Sequence, residues 1–166
     1  VIYGASVGTT LPNGNKIVER WLNDTPTTPF DIKTDYAITF DGTKVIFVQN
    51  YATPEMDDIR VILKQQVSNQ RYNIETSGVS YSNTLYSTSR QAQSTIANMA
   101  VLAAANSSYT VNYKSLQNTF VTLSASDVIA LSNKVRSFVQ SCFDTEYSYY
   151  QTIDTASSVQ LYTMNV

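Results

Sequence analysis

The 166-residue sequence contains no His, which removes the commonest general base, the base of a serine triad and the commonest metal ligand together. It also lacks a Cys pair, a glycine-rich dinucleotide loop, a phosphate loop and an EF-hand loop. Carboxylates remain, since paired Asp and Glu side chains can cleave glycosidic bonds. The densest cluster is Glu55, Asp57 and Asp58. A polysaccharide hydrolase would use that pair of Asp residues, but electrostatic capping of a helix first turn accounts for them fully. Asp144 and Glu146 fall on different faces of a helix and are expected in solvent. Cys142 stands alone and cannot form an internal disulfide. It is expected as a packed thiol rather than a reactive one. The reading is of a protein with no catalytic residue, no cofactor and no metal: not an enzyme.

Binding chemistry is better represented. The chain has 12 Tyr, and Tyr supplies rigid, amphipathic contact area at low entropic cost. Tyr147, Tyr150 and Tyr162 are the candidate receptor-facing aromatics, with Tyr109, Tyr113 and Tyr149 as further members of the set. The competing reading is that these rings fill contacts between helices, hairpins and subunits. The single Trp, Trp21, is expected at an interface. Lys and Arg number 11 and are scattered, and the net charge is −2, so no phosphate-binding footprint exists and nucleic acid is not an expected partner. Charged residues make up only 14 %, so Ser, Thr, Asn, Gln and Tyr must form the polar surface. No run approaches the length of a membrane span, and residues 1–30 lack a signal-peptide apolar core. Val1 is what removal of an initiator Met would leave, and independence from disulfides suits a reducing cytoplasm.

The elements that must position these residues follow from pattern. All five Gly and all four Pro lie at or before Gly78, so a loop-and-strand part precedes a helix-dominated part. Residues 1–34 read as irregular, with turns at Pro12-Asn13-Gly14 and Pro26-Thr27-Thr28-Pro29 around a short apolar segment, 17–22. Alternation through Tyr36-Ala37-Ile38-Thr39-Phe40 and back through Val45-Ile46-Phe47-Val48 predicts a hairpin over 35–49, with Asp41-Gly42 as its type I′ turn. A two-stranded ribbon is marginal alone, so it must pack on something else. Pro54 opens a helix over about 55–74, with Met56, Ile59, Leu63 and Val67 as its apolar stripe. A second hairpin, 79–88, turns at Ser82-Asn83. A helix capped by Thr88 or Ser89 then runs to about Ala105, burying Ala92, Ile96, Met99 and Ala103. A third hairpin, 111–123, turns near Gln117-Asn118. The tail 159–164 alternates and is expected to end as a strand.

Between the third hairpin and the tail lies the longest pattern. Ser124 and Asp127 form a capping-box-like start. Val128, Leu131, Val135, Phe138, Cys142, Thr145, Tyr149, Ile153 and Ala156 then recur at steps of three and four, close to a heptad seam. A helix to about Ser158 is longer than a domain of this size needs for its own core. Val128, Leu131, Val135, Phe138, Cys142, Tyr149 and Ile153 are therefore the candidate oligomer seam. The fold class is α+β: an N-terminal segment with a β-hairpin (1–53), then a helix–hairpin–helix–hairpin–long-helix domain (54–166) that associates through the seam.

From about Asp57 onward, the sequence resembles a domain of unassigned biochemical function that closes many tailed-phage tail-fibre proteins. The resemblance rests on Arg71 through Glu75-Thr76-Ser77-Gly78-Val79, on Thr88-Ser89-Arg90-Gln91-Ala92, and on Tyr113-Lys114 through Phe120-Val121-Thr122-Leu123-Ser124-Ala125. It continues in Val135-Arg136-Ser137-Phe138-Val139-Gln140-Ser141-Cys142-Phe143-Asp144-Thr145-Glu146 and closes on Ile153-Asp154-Thr155-Ala156. Tyr113-Lys114 stands where the family often has Trp-Lys, and Gln117-Asn118 replaces the usual turn Gly. The resemblance implies a virion component made in the host cytoplasm: a homotrimeric tail fibre or fibre tip. Its partners would be other tail or baseplate proteins and a glycan or protein on the host surface. The alternative is a baseplate or fibre connector that binds no receptor.

Overall fold

The computed structural model describes residues 20–23, 26–40 and 45–164. Contacts divide the chain into two compact units, one taking the chain up to Ile59 together with Ser158–Met164, the other Arg60–Ser157. The class is α+β, with short hairpins and several helices. The unit boundary lies a few residues beyond the expected 53/54, and the tail segment belongs with the first unit rather than the second.

In the first unit, β1 (Arg20–Asn23), β2 (Ile32–Phe40) and β3 (Val45–Ala52) form one sheet in the order β1-β3-β2. β3 is central, parallel to β1 and antiparallel to β2. The expected hairpin is thus longer than 35–49 and has a third strand, placed where an irregular segment was expected. Four residues are too few for a period of two to declare itself. The turns at Pro12-Asn13-Gly14 and Asp41-Gly42 and the side chain of Trp21 lie outside what is described. Before β2, Asp31 accepts from the backbone N–H groups of Thr27 (2.7 Å) and Thr28 (2.9 Å) and from the hydroxyls of Thr28 (2.6 Å) and Thr53 (2.8 Å). The Thr28 hydroxyl leads these bonds in holding the carboxyl at about 2. The tail is not a strand. Residues Ser158–Thr163 form the last helix of the chain, α4, with Leu161 buried and Val159 exposed. The alternation was misleading because only Leu161 of the pair is covered. In the same unit the Tyr162 ring lies 6.2 Å from Phe30 at an interplanar angle of 38°, and its hydroxyl donates toward Met56 Sδ at 3.9 Å.

The second unit carries α1 (Met56–Glu75, from Arg60 on), β4 (Val79–Tyr81), β5 (Thr84–Tyr86), α2 (Arg90–Ala105), β6 (Thr110–Lys114), β7 (Phe120–Ser124) and α3 (Ala125–Thr155). Local chemistry explains each boundary. Gly78, at φ +110°, reverses the chain after α1. A Cβ there would meet the Leu116 side chain at 2.8 Å and the Tyr86 carbonyl at 3.0 Å. Ser82 and Asn83 both take positive φ, +47° and +59°, as a type I′ turn requires. Ser89 caps α2 by accepting from the Ala92 N–H. Asn118, at φ +65°, supplies the left-handed residue in the turn of the third hairpin, a conformation Asn tolerates. At the start of α3 the capping box is complete, with the Ser124 hydroxyl accepting from the Asp127 N–H and the Asp127 carboxylate from the Ser124 N–H.

The core lies where α2 and the N-terminal half of α3 meet the two hairpins. It contains Val79, Tyr86, Ile96, Met99, Ala103, Leu123, Ala125, Val128, Leu131 and Val135. The four residues of α2 expected to be buried are the four that are. Tyr86 and Tyr113 stack at 6.1 Å between the second and third hairpins, and Tyr81 of the second hairpin donates to Asp127 at the start of α3 at 3.3 Å. The Leu116 N–H donates to the Leu85 carbonyl at 2.8 Å, tying the two hairpins together.

Candidate functional site

Polar side chains join the C-terminal half of α3 to α1, the two helices running antiparallel. Lys64 pairs with Asp154 at 2.6 Å, and the Arg60 guanidinium donates to the Ala156 carbonyl at 3.4 Å. The Ser68 hydroxyl donates to Glu146 at 2.5 Å and bonds the Tyr150 hydroxyl at 2.6 Å. At the centre Arg71 divides its guanidinium between two carboxylates, Nε to Glu146 at 3.0 Å and Nη1 to Glu75 at 2.5 Å. One face of that guanidinium lies over the Phe143 ring, 4.5 Å from its centre. Glu75 is wholly buried and also accepts from Arg90 at 3.2 Å and from Gln93 at 3.0 Å. A buried carboxylate survives only with such partners, so this network links α1, α2 and α3 through charge.

The expectation that Glu146 is solvated is therefore corrected. Its position one helical turn from Tyr150 and Cys142 turns it toward α1, where Arg71 waits. Burial pushes its carboxyl up, but hydrogen bonds from Ser68 and Arg71, the Arg71 charge and Tyr150 hold it below its ordinary value. Asp144, one face away, is exposed and accepts from Gln140 at 2.8 Å. Arg71 shows the converse: burial opposes its charge, yet Glu75 and Glu146 raise its pKa. Asp57 and Asp58 lie exposed in the first turn of α1.

Alongside the network runs a groove. One cleft of about 260 Å³ lies between α1 and α3, with Val67, Ile74, Phe138, Cys142 and Tyr149 among its walls and Gln70, Ser141 and Thr145 as polar neighbours. A second, of about 480 Å³, is lined by Gly78, Val79, Ser80, Lys134, Ser137, Phe138 and Ser141. The two meet at Phe138 and Ser141. Cys142 forms part of the first cleft's wall; it is buried, and desolvation with the nearby Glu75 charge raises its thiol pKa, which makes a poor nucleophile.

The proposed seam divides along this groove. Val128, Leu131, Val135, Cys142 and Ile153 are buried within this one chain. Phe138 is half-buried, and Tyr149 is 38 % exposed. The sequence periodicity located the apolar face of α3, but α2, the hairpins and α1 cover most of it. Among the candidate receptor-facing aromatics, Tyr147 is 65 % exposed. Tyr150 is turned inward, its hydroxyl bonded to Ser68 and to the Lys64 carbonyl at 3.3 Å and its ring under Lys64. Tyr162 is half-buried against Phe30 and Met56. Sequence reasoning missed Arg71, Glu75 and Ser68 as partners, because ionic pairs between helices leave no periodic trace.

Among the described residues no helix is long and apolar enough to cross a membrane, and no group of three or more His, Cys, Asp or Glu residues could hold a metal ion. Residues 58–163 match the family described as "Domain of unknown function (DUF4376)". The chain belongs to that family. The match spans α1 to α4 and so includes the charge network and the groove. No curated protein and no solved structure matches the chain.

Proposed function

We propose that this chain is a structural component of a phage tail fibre, a fibre or fibre tip located in the virion, that assembles as a homotrimer and contributes to host-cell attachment. The observation that carries the reading is the ordered set of segments from Arg71 to Ala156 that resembles tail-fibre C-terminal domains. That set lies wholly within one family match and within one compact unit. Surface chemistry supports it. Ile74, Val101, Leu102, Phe120, Phe143, Tyr147 and Tyr149 remain exposed on the single chain, apolar side chains that subunit contacts could cover. No catalytic role is proposed, because Glu75 and Glu146 are balanced by Arg71 together with Arg90, and Asp144 is bonded to Gln140.

Solution mass tests the assembly. The full chain at micromolar concentration is expected to sediment as a species of three 18.5 kDa subunits. A stable, folded monomer would overturn the trimeric-fibre reading.

The connector reading has its own support in the first unit. Among the described residues β2 is a sheet edge, with Ile32, Tyr36 and Ile38 exposed, a surface suited to joining a neighbouring tail protein. Purified chain that binds host cells and competes with particle adsorption would exclude a connector that has no receptor.

A further inference from the structure

We infer that the groove along α3, from Lys134 to Tyr149, is a binding site for a short acidic oligosaccharide. The inference rests on the attachment reading above and names the surface that would carry it. Its two clefts adjoin at Phe138 and Ser141, giving about 22 Å of helix at about 1.5 Å per residue, the length of several sugar rings rather than one. Phe138 and the partly exposed Tyr149 put aromatic surface on the groove, and the apolar C–H face of a pyranose packs on such rings.

The polar lining has a definite sense. Ser141 spends its hydroxyl hydrogen on the Phe138 carbonyl at 2.7 Å, and Thr145 spends its own on the Ser141 carbonyl at 2.8 Å. Both therefore present oxygen lone pairs to the groove and accept from a ligand rich in O–H donors. Ser80, Ser137 and Gln70 extend the polar lining.

Charge selects the acidic class. On the groove wall Glu146 and the buried Glu75 share Arg71, and Arg90 supplies the second positive charge, so this cluster is balanced. Lys134 is exposed and has no ion pair among the described residues. The groove therefore offers one uncompensated cation at its end, complementary to a carboxylate or sulfate on the sugar.

The experiment is titration of the isotopically labelled full chain with tetragalacturonate, a tetrameric sialic acid, a heparin-derived tetrasaccharide and neutral maltotetraose, followed by amide chemical shifts. Saturable shifts confined to residues 67–80 and 134–149 are expected with at least one acidic probe, weakened at least tenfold in Lys134→Glu and in Tyr149→Ala. Both substitutions fall on exposed side chains and are expected to leave the rest of the spectrum intact. No saturable shift with any acidic probe, shifts elsewhere on the chain, or maltotetraose binding as tightly as the acidic sugars would overturn the assignment. Groove shifts that follow protein concentration alone would also overturn it, since a second copy would then occupy the groove. The fibre reading stands separately: it fails if the chain is absent from the tail, whatever the sugar titration shows.

Discussion

At the scale of single residues, Arg71 carries the most consequence. It is the shared partner of a fully buried carboxylate and a nearly buried one, Glu75 and Glu146. Breaking a buried pair by removing one member costs more than the pair contributes, because a charge is left uncompensated. Arg71→Met is expected to destabilise the second unit by about 3 kcal/mol or more in chemical denaturation. Arg90→Met should cost less, since Arg90 is 55 % exposed and Glu75 keeps Arg71 and Gln93 as partners without it. Glu146 adds a pH dependence. Its folded-state pKa lies below the ordinary 4.5, so the folded chain holds that proton more weakly than the unfolded chain does. The stability it contributes is complete above about pH 4.5 and is lost as pH falls through the folded-state value. Denaturation midpoints measured from pH 7 to pH 3 should fall more steeply for the native chain than for Glu146→Gln. Parallel pH profiles would remove Glu146 from the account. None of this was legible in the sequence, which showed an isolated Glu on a long helix and gave no sign of Arg71 opposite it.

At the scale of elements, the sequence was far more informative, for reasons specific to each one. The boundaries of α2 and α3 were readable because Ser89 and Ser124 are caps with local partners, and the second hairpin because Ser82-Asn83 tolerates positive φ at both turn positions. Each is decided within a few residues of chain. β1 and α4 were not readable, because four residues and six residues carry too little pattern and their neighbours decide their state. Gly78 joins local to tertiary constraint. Its φ of +110° is strained for any L side chain, and its missing Cβ leaves room for Leu116 and the Tyr86 carbonyl. Its N–H also donates to the hydroxyl of the buried Thr88 at 2.8 Å. Gly78→Ala is expected to lower stability by about 1–3 kcal/mol through the backbone alone, read as a shifted denaturation midpoint. An unchanged midpoint would mean that the turn relaxes at no cost.

At the scale of the whole molecule, the long helix takes two roles instead of one. Its heptad-like pattern suggested a free seam of seven residues. In the folded chain the N-terminal half of that pattern packs under α2 and the hairpins, while α1 lies along the C-terminal half. Periodicity reports which face of a helix is apolar and is silent on whether the same chain or another one covers it. What α3 leaves open is a narrower strip, with Phe138, Ser141, Thr145 and Tyr149 along the groove. The proposed subunit association would have to use other exposed apolar side chains, such as Val101, Leu102 and Phe120, leaving this strip to a ligand. The central claim is that the chain sits in the tail fibre of a virion. Its most direct test is electron microscopy of particles in which this chain carries an epitope tag, labelled with a gold-conjugated antibody. The account predicts gold at fibres or fibre tips on the tail periphery, in multiples of three per fibre at full labelling. Label confined to the capsid, or particles that carry none while the tagged chain accumulates in the infected cell, would contradict it.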